Sequence, residues 1–405
     1  MNSATGPLAG LKVIELAHIM AGPVCGLMLA DLGAEVIKIE KIPDGDDTRR
    51  MVPPTLDGES AAFMILNRNK RGAAVNLKSA GGKAVLEKLL ASADVLIENY
   101  RPGTMERLGL GYDTLRPRNP GLIYCQVTGF GRTGPYAGRA GFDLIAQGLS
   151  GIMSITGEGP DHPPVKAGPP ITDITAGILA AMGVLAAYVH RLKTGEGQRV
   201  DTSLLEAGVT TTYWQSAICL ATGVSPGAIG SAHPLNAPYQ ALPTADGWIN
   251  IGAANQANWL RLTEALEAPE LAQDARFADN PARMNNRAAL VELLTARFRR
   301  RPTAEWLARL EAAGVPAGPV LSIGEMLEDP QVRARDMVVE ATHSRLGPVR
   351  TLGPPVKFSA TPAGVRRGAP RLGEHTREIL TEYGYSEAEI ERLAASGDIL
   401  LAPGN

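Results

Sequence analysis

The sequence predicts an α/β protein with a mostly parallel, doubly wound sheet, followed by a smaller α+β domain. Three observations carry this expectation. β-rich runs alternate with helix-like segments through the first half, a Gly-, Pro-, Ser- and Ala-rich stretch begins at Thr222, and short strands with amphipathic helices follow it.

From Leu11 the chain reads LKVIEL, a turn, the helix-like PVCGLMLADLG and a second β-rich run, AEVIKIE, which together make a βαβ unit. Pro23 suits the first helical turn, where the N–H it lacks would have no intrahelical partner. Further strands are expected at GAAVNL (72–77), DVLIENY (94–100) and GLIYCQVTGF (121–130), with the helix GGKAVLEKLLAS between the first two. The apolar run after Asp173 predicts a helix to about His190, ended by the glycines of KTGEGQ. QRVDTSLLEA then reads as a strand entering another helix. Residues 222–243 read as a linker and 244–325 as a second domain with helices in ALVELLTARFRR and TAEWLARLEAAG. A β-like, Pro- and Gly-punctuated segment from Met337 and two helical pieces, HTREILTEYG and SEAEIERLAASG, close the chain.

Composition excludes several function classes. Forty basic residues against 42 acidic ones, with no block of like charge, argue against a nucleic-acid surface. Cys25, Cys125 and Cys219 are widely spaced and odd in number, which fits neither a zinc site nor a disulfide framework. A reducing compartment is the natural expectation. MNSATGPLAGLKV has neither a secretory nor a transit pattern, and no uninterrupted apolar run reaches spanning length, so a cytoplasmic protein without membrane contact is expected.

Glu40 ends the second strand where a ribose-binding acid would sit, but the preceding turn lacks the G-x-G-x-x-G spacing that closes on a pyrophosphate. The basic residues Lys41, Arg49, Arg68, Lys70, Arg71, Lys78, Arg101 and Arg107 each read singly as a solvated surface charge. No hydrolase elbow, HExxH or P-loop is present, and the histidines at 18, 162, 190, 233, 343 and 375 are scattered, so no metal site is expected. NIGAANQANW (250–259) is an ordinary strand-to-helix turn or a loop of small residues able to approach a ligand closely and offer N–H groups to an oxyanion. Asp173 is a lone acid before an apolar run, and so reads either as a helix N-cap or as a carboxylate kept for chemistry.

Six motifs occur in order: AGPVCGLMLADLGAEVIKIE followed by GDDTR; NRNKRGAAVNLK; DVLIENYRPGTMERLGLGYDTL; TGFGRTGPYAGRAGFDLIAQGLSG; DITAGILAAMGVLAAY; and KTGEGQRVDTSLLEA. Together they resemble the family III CoA-transferases, a group that includes the α-methylacyl-CoA racemases, over nearly the whole chain. The wording is most similar to the succinyl-CoA:glutarate type, which handles dicarboxylic acids. The resemblance implies a Rossmann-like large domain, 1–221 completed by 345–405, a small domain joined through 222–243 and a return linker 326–344, and an interlocked homodimer. It places the catalytic aspartate on Asp173 and an acidic helper on Asp143. Acyl-CoA and a carboxylic acid are the implied substrates, with no permanently bound cofactor.

For CoA, the resemblance points to Met20 and Ala21, Lys41, Val75, Asn76, Leu77 and Lys78, Asn99, Tyr100 and Arg101, Arg107, and Arg139, Ala140, Gly141 and Phe142. Met20 stands where some transferases carry Gln. Gly252, Ala253, Ala254, Asn255 and Gln256 match a glycine-rich loop over the intermediate, with Ala253, Ala254 and Asn255 replacing glycines. The implied cycle runs through an aspartyl mixed anhydride and an aspartyl-CoA thioester, and an ordinary Asp, ionised at neutral pH, needs no base to begin it. A racemase or epimerase would need a His-Asp pair, but Phe142 occupies the His position and cannot exchange a proton. A noncatalytic acyl-CoA-binding protein is the third alternative, against which the intact Asp173 motif speaks.

Overall fold

The computed structural model describes residues 5–159 and 161–402. The chain divides into two compact units, one formed by residues up to Met153, Lys166–Ala221 and the segment from Pro330 onward, the other by Ser154–Val165 and Thr222–Asp329.

In the first unit, β1 (Lys12–Glu15), β2 (Glu35–Glu40), β3 (Arg71–Val75), β4 (Val95–Glu98), β5 (Ile123–Thr128) and β6 (Arg199–Ser203) form a parallel sheet in the order β3-β2-β1-β4-β5-β6. Ile399–Leu400 adds an antiparallel edge beside β3. The strands read as near-continuous apolar runs because both faces are covered. Val13, Val36, Val95 and Ile123 enter one core with Cys25, Ala176, Ala180 and Val184, while Ile14, Ile37, Leu96 and Tyr124 enter another with Leu86, Leu89, Ile379 and Ile390. This period of two is the pleat sending successive side chains to opposite faces.

Four helices build or brace the sheet's carboxyl edge: α1 (Ala21–Asp31), α2 (Ala80–Leu90), α3 (Asp143–Leu149) and α4 (Ile171–Thr194). Ser79 caps α2 by accepting a hydrogen bond from the Gly82 N–H at 3.0 Å. α4 begins two residues before Asp173 and runs four past the expected end, until Gly195 takes up a left-handed φ of 79°. At 24 residues it is long and apolar enough to cross a membrane by length and composition. Its small residues Ala176, Gly177, Ala180, Ala181 and Ala187 are nonetheless buried in this unit.

The second unit has a three-stranded antiparallel sheet, Ala317–Pro319, Trp248–Gly252 and Tyr239–Pro243 in that order, around a core of Trp259, Phe277, Phe298 and Trp306. The stretch 222–243 thus ends in a strand, which becomes one by pairing with the segment after it. Likewise 326–344 holds the strand Val338–His343, paired with Gly347–Leu352.

One expectation is corrected. Arg68, Lys70 and Arg71 are buried rather than solvated, with 3%, 0% and 8% of their surface exposed. Arg68 pairs with Asp31 at 2.5 Å, Lys70 with Glu15 at 2.8 Å, and Arg71 with Glu378 and Glu382, each at 2.8 Å. Lys38, equally buried, bridges Glu15 at 3.0 Å and Asp46 at 2.9 Å. Burial pushes the Lys70 ammonium down to about 8, while its acidic neighbours pull Lys38 above its usual range against the same desolvation.

The α1–α4 contact leaves no room for a side chain at Gly177, where an added Cβ would lie 2.6 Å from both the Ala21 carbonyl oxygen and Val24. Gly177→Ala is therefore expected to cost about 1–3 kcal/mol by overpacking, read as a lower unfolding midpoint in urea, and to reduce turnover because both helix starts move apart.

Candidate active site

Strand order reverses between β1 and β4, and ligands of open parallel sheets bind at the carboxyl ends of the strands beside such a switch point. A cleft of about 470 Å³ opens there, lined by the segments after β1 (His18–Ala21), after β4 (Asn99–Pro102 and Thr104), at and after β5 (Val127–Gly129), by Arg139–Phe142 and by Asp173. Of the residues expected from the sequence, Met20, Ala21, Asn99, Tyr100, Arg101, Arg139, Ala140, Gly141, Phe142 and Asp173 meet in it.

Buried charge holds the turn after β1. Lys38 Nζ donates to the Ala17 carbonyl at 2.7 Å, and Asn99 brackets His18 by accepting from its N–H at 2.9 Å and donating to its carbonyl at 2.8 Å. Ile19 has a φ of 67°, left-handed for a β-branched residue, and its N–H is held by both Asp46 oxygens at 3.1 and 3.3 Å. Lys38 and these hydrogen bonds keep Asp46 well below the usual carboxylate range despite burial. Glu40 is engaged with Arg49 at 2.7 and 2.8 Å and with the Asp46 N–H at 2.9 Å, so it is not the free ribose acid its position suggested.

Asp173 is not the cap of α4. The cap position is Pro170, and the carboxylate that serves the helix start comes from Asp143, whose Oδ1 accepts from the Thr172 N–H at 3.0 Å and its hydroxyl at 2.7 Å. Asp143 Oδ2 accepts from Gln147 Nε2 at 2.7 Å, and Gln147 Oε1 accepts from the Ala167 N–H at 2.8 Å. Gln147, fully buried, thereby ties the segment before α4 to α3. Among the described residues none donates a hydrogen bond to the Asp173 carboxylate. Burial, then the neighbouring Asp143 charge, raise it to about 7. The ready ionisation expected of an ordinary Asp is corrected accordingly: near pH 7 the ligand-free site holds both forms.

Gly129 and Gly141 let the 139–142 segment cross the end of β5. A Cβ on either would lie 2.6 or 2.4 Å from the other's Cα. Lys41 lines an adjoining crevice with Tyr100 and His18 and pairs with Asp47 at 2.7 Å. Arg107 stands behind Thr104, donating to its hydroxyl at 3.0 Å. Val75–Lys78 lie at the end of β3 and do not line the cleft, Asn76 being tied to the Asp398 and Gly397 carbonyls. The GAANQ segment is in the second unit: Gly252 ends a strand, Ala253 is buried, Asn255 caps the helix Gln256–Ala265, and Gln256 bonds Ala278 and Arg283. Sequence reasoning missed His18, Thr172 and Gln147. Only His18 had a usable signal, its place directly beyond the first strand.

Fold and cleft define a doubly wound α/β protein with an unencumbered carboxylate at the sheet's switch point. The CoA-transferase family III profile matches residues 8–376, and the chain belongs to that family. It is 40% identical to a succinyl-CoA:glutarate CoA-transferase of Mus musculus over 97% of this chain and 90% of the relative. A succinate–glutarate CoA-transferase of Agrobacterium fabrum is 43% identical over 94% of this chain and 97% of its own length. The crystal structure of a CAIB/BAIF family protein from Brucella suis superposes with a TM-score of 0.85 at 42% identity, over 94% of this chain and all of that one.

The raised Asp173 carboxyl has two consequences. Activity as kcat/KM is expected to fall on the acid side of a limb near pH 7, and Asp143→Asn, by removing a like charge, to move that limb to lower pH. In stability, a carboxyl whose folded value lies above its unfolded one costs most once ionised, above about pH 7. Asp173→Asn is expected to raise the melting temperature at pH 8 by more than at pH 5, measured by calorimetry.

Proposed function

We propose that this CoA-transferase moves CoA from succinyl-CoA or a similar donor to a dicarboxylic acid, with Asp173 as nucleophile. The observation that carries the reading is a carboxylate in the cleft with no hydrogen-bond donor spent on it, beside a second acid whose oxygens are fully engaged. Dicarboxylate substrates are supported by the names of the Mus musculus and Agrobacterium fabrum relatives.

Ionised Asp173 attacks the donor thioester carbonyl, the C–S bond breaks, and CoA leaves as thiolate with a mixed anhydride left on the enzyme. The thiolate then attacks the aspartyl carbonyl, releasing the donor acid and leaving an aspartyl-CoA thioester. An acceptor carboxylate attacks that carbonyl and expels CoA, and the thiolate returns to the acceptor's acyl carbon, freeing Asp173. Each step passes a tetrahedral oxyanion. The N-terminus of α1 at Met20–Ala21, itself in the cleft, supplies a positive dipole end for it.

On this reading Asp143 is a positioning residue that fixes the start of α4. The segments after β1 and β4 and the backbone of Arg139–Phe142 contact the CoA chain, and Lys41, Arg101 and Arg107 meet phosphates, joined by Lys78 if the ligand reaches β3. The chain works as an interlocked cytoplasmic homodimer; of these properties, association alone is supported by the exposed Met182, Leu192, Tyr213 and Leu220, which are 60%, 69%, 71% and 87% accessible.

Asp173→Ala is expected to lower transfer at least about 10³-fold while CoA still binds, and in the wild type borohydride is expected to reduce the Asp173–CoA thioester to the side-chain alcohol, or hydroxylamine to convert it to the hydroxamate, with CoA released in both cases and the altered residue read by mass spectrometry. Full activity in Asp173→Ala overturns the mechanism. With succinyl-CoA and a panel of mono- and dicarboxylates read by mass spectrometry, CoA appearing only on monocarboxylates overturns the substrate class.

A further inference from the structure

We propose that Arg139 is the specificity-determining residue that binds the far carboxylate of a dicarboxylic acyl group while the near end reacts at Asp173. The inference rests on the transferase reading. A dicarboxylate brings one carboxylate to the reaction and must place a second, charged one in a cleft that already holds Asp173 and Asp47, with the Asp143 charge next to Asp173. Desolvating that charge without a cationic partner is costly.

The cleft wall carries three basic side chains, His18, Arg101 and Arg139. Burial pulls His18 toward its neutral form. Arg101 follows Tyr100, which also lines the crevice holding Lys41, the side where the CoA phosphates are expected. Arg139 is on a different connection, four residues before Asp143, whose carboxylate holds the Thr172 N–H next to Asp173. The Gly129–Gly141 contact fixes that connection against the end of β5.

Arg139 is also built for the task. Its guanidinium lies 3.8 Å from the centre of the Tyr136 ring, and Tyr136 meets Phe130 edge-on at 5.8 Å. The Arg139 N–H donates to the Tyr136 carbonyl at 2.9 Å, closing the turn that stacks the two side chains. Among the described residues no acid pairs with Arg139. Stacking covers a guanidinium face and leaves the in-plane N–H groups for a carboxylate, which they match in a bidentate fork. A monocarboxylic acyl chain of equal length would leave this fork unused.

The test compares glutarate with valerate, its equal-length analogue lacking the far carboxylate, using succinyl-CoA as donor throughout so that any donor defect cancels in the ratio. Arg139→Gln is expected to lower the kcat/KM ratio of glutarate over valerate about 10- to 100-fold, Arg139→Lys to retain part of it, and Arg101→Gln to weaken CoA binding while keeping the ratio. An unlowered ratio in an active Arg139→Gln enzyme overturns the assignment alone, and a tenfold weaker affinity for free CoA in that variant would then place the guanidinium on a phosphate. Absence of transfer by the wild-type chain to glutarate, with transfer to valerate retained, overturns the dicarboxylate reading on which the assignment rests. Arg139 is exposed, so an unchanged unfolding midpoint separates loss of recognition from loss of fold.

Discussion

The site depends first on how closely α4 approaches α1. Both helices begin at the cleft, one with Met20 and Ala21, the other with Asp173 in its first turn, and Gly177 lets their backbones meet without a Cβ between them. Glycine within a helix costs about 1 kcal/mol relative to alanine, a cost offset by the contact it permits. The alanines at 176, 180, 181 and 187 extend the same narrow seam against the sheet. Two helix N-termini then face one cavity, and their dipoles favour anionic groups there.

That field does not outweigh what surrounds Asp173. The Thr172 amide at the helix start goes to Asp143, which also receives the Thr172 hydroxyl and the Gln147 side chain, while among the described residues none donates to the Asp173 carboxylate. The two acids thus divide two tasks that compete on a single carboxylate, since one engaged by amides is well solvated and a poor nucleophile. A carboxyl near 7 is less stabilised as an anion and more reactive once ionised, at a cost in folding stability. The buried set of Glu15, Lys38, Asp46 and Lys70 behaves in the opposite way on the other wall, where pairing favours the charged forms of Lys38 and Asp46 and Asp46 holds Ile19 left-handed beside the cleft.

The strands and Asp173 were legible because each announces itself locally, the strands as β-branched runs and Asp173 as the only acid before a long apolar segment. NRNKRGAAVNLK shows where local reading stops. Its Arg68, Lys70 and Arg71 look solvated in a polar stretch, and their burial follows from Asp31, Glu15 and Glu382, which only the folded sheet brings near. Of the two roles open to Asp173 in the sequence, the cap falls away for the same reason, since the carboxylate that serves the start of α4 comes from 29 residues upstream. Gln147 had no signal, because a glutamine inside an amphipathic run looks like any polar surface residue until both its partners are known.

The cations around the cleft differ in what a ligand must displace. Lys41 is paired with Asp47, but its side chain is 57% exposed, and such a pair is worth only about 0–1 kcal/mol. A phosphate can take Lys41 from Asp47 at little expense, and Asp47 has Arg50 as a second partner at 2.5 Å. Arg107 likewise gives up only a hydroxyl contact. Arg139 needs no exchange, because stacking has already limited its rotamers and among the described residues no acid holds it. In the proposed roles, phosphate recognition by Lys41 and Arg107 is adjustable, which suits a CoA moiety common to every donor and product. Acyl recognition by Arg139 is in the same proposal preorganised, and discrimination between acids belongs where the least rearrangement can absorb a mismatch.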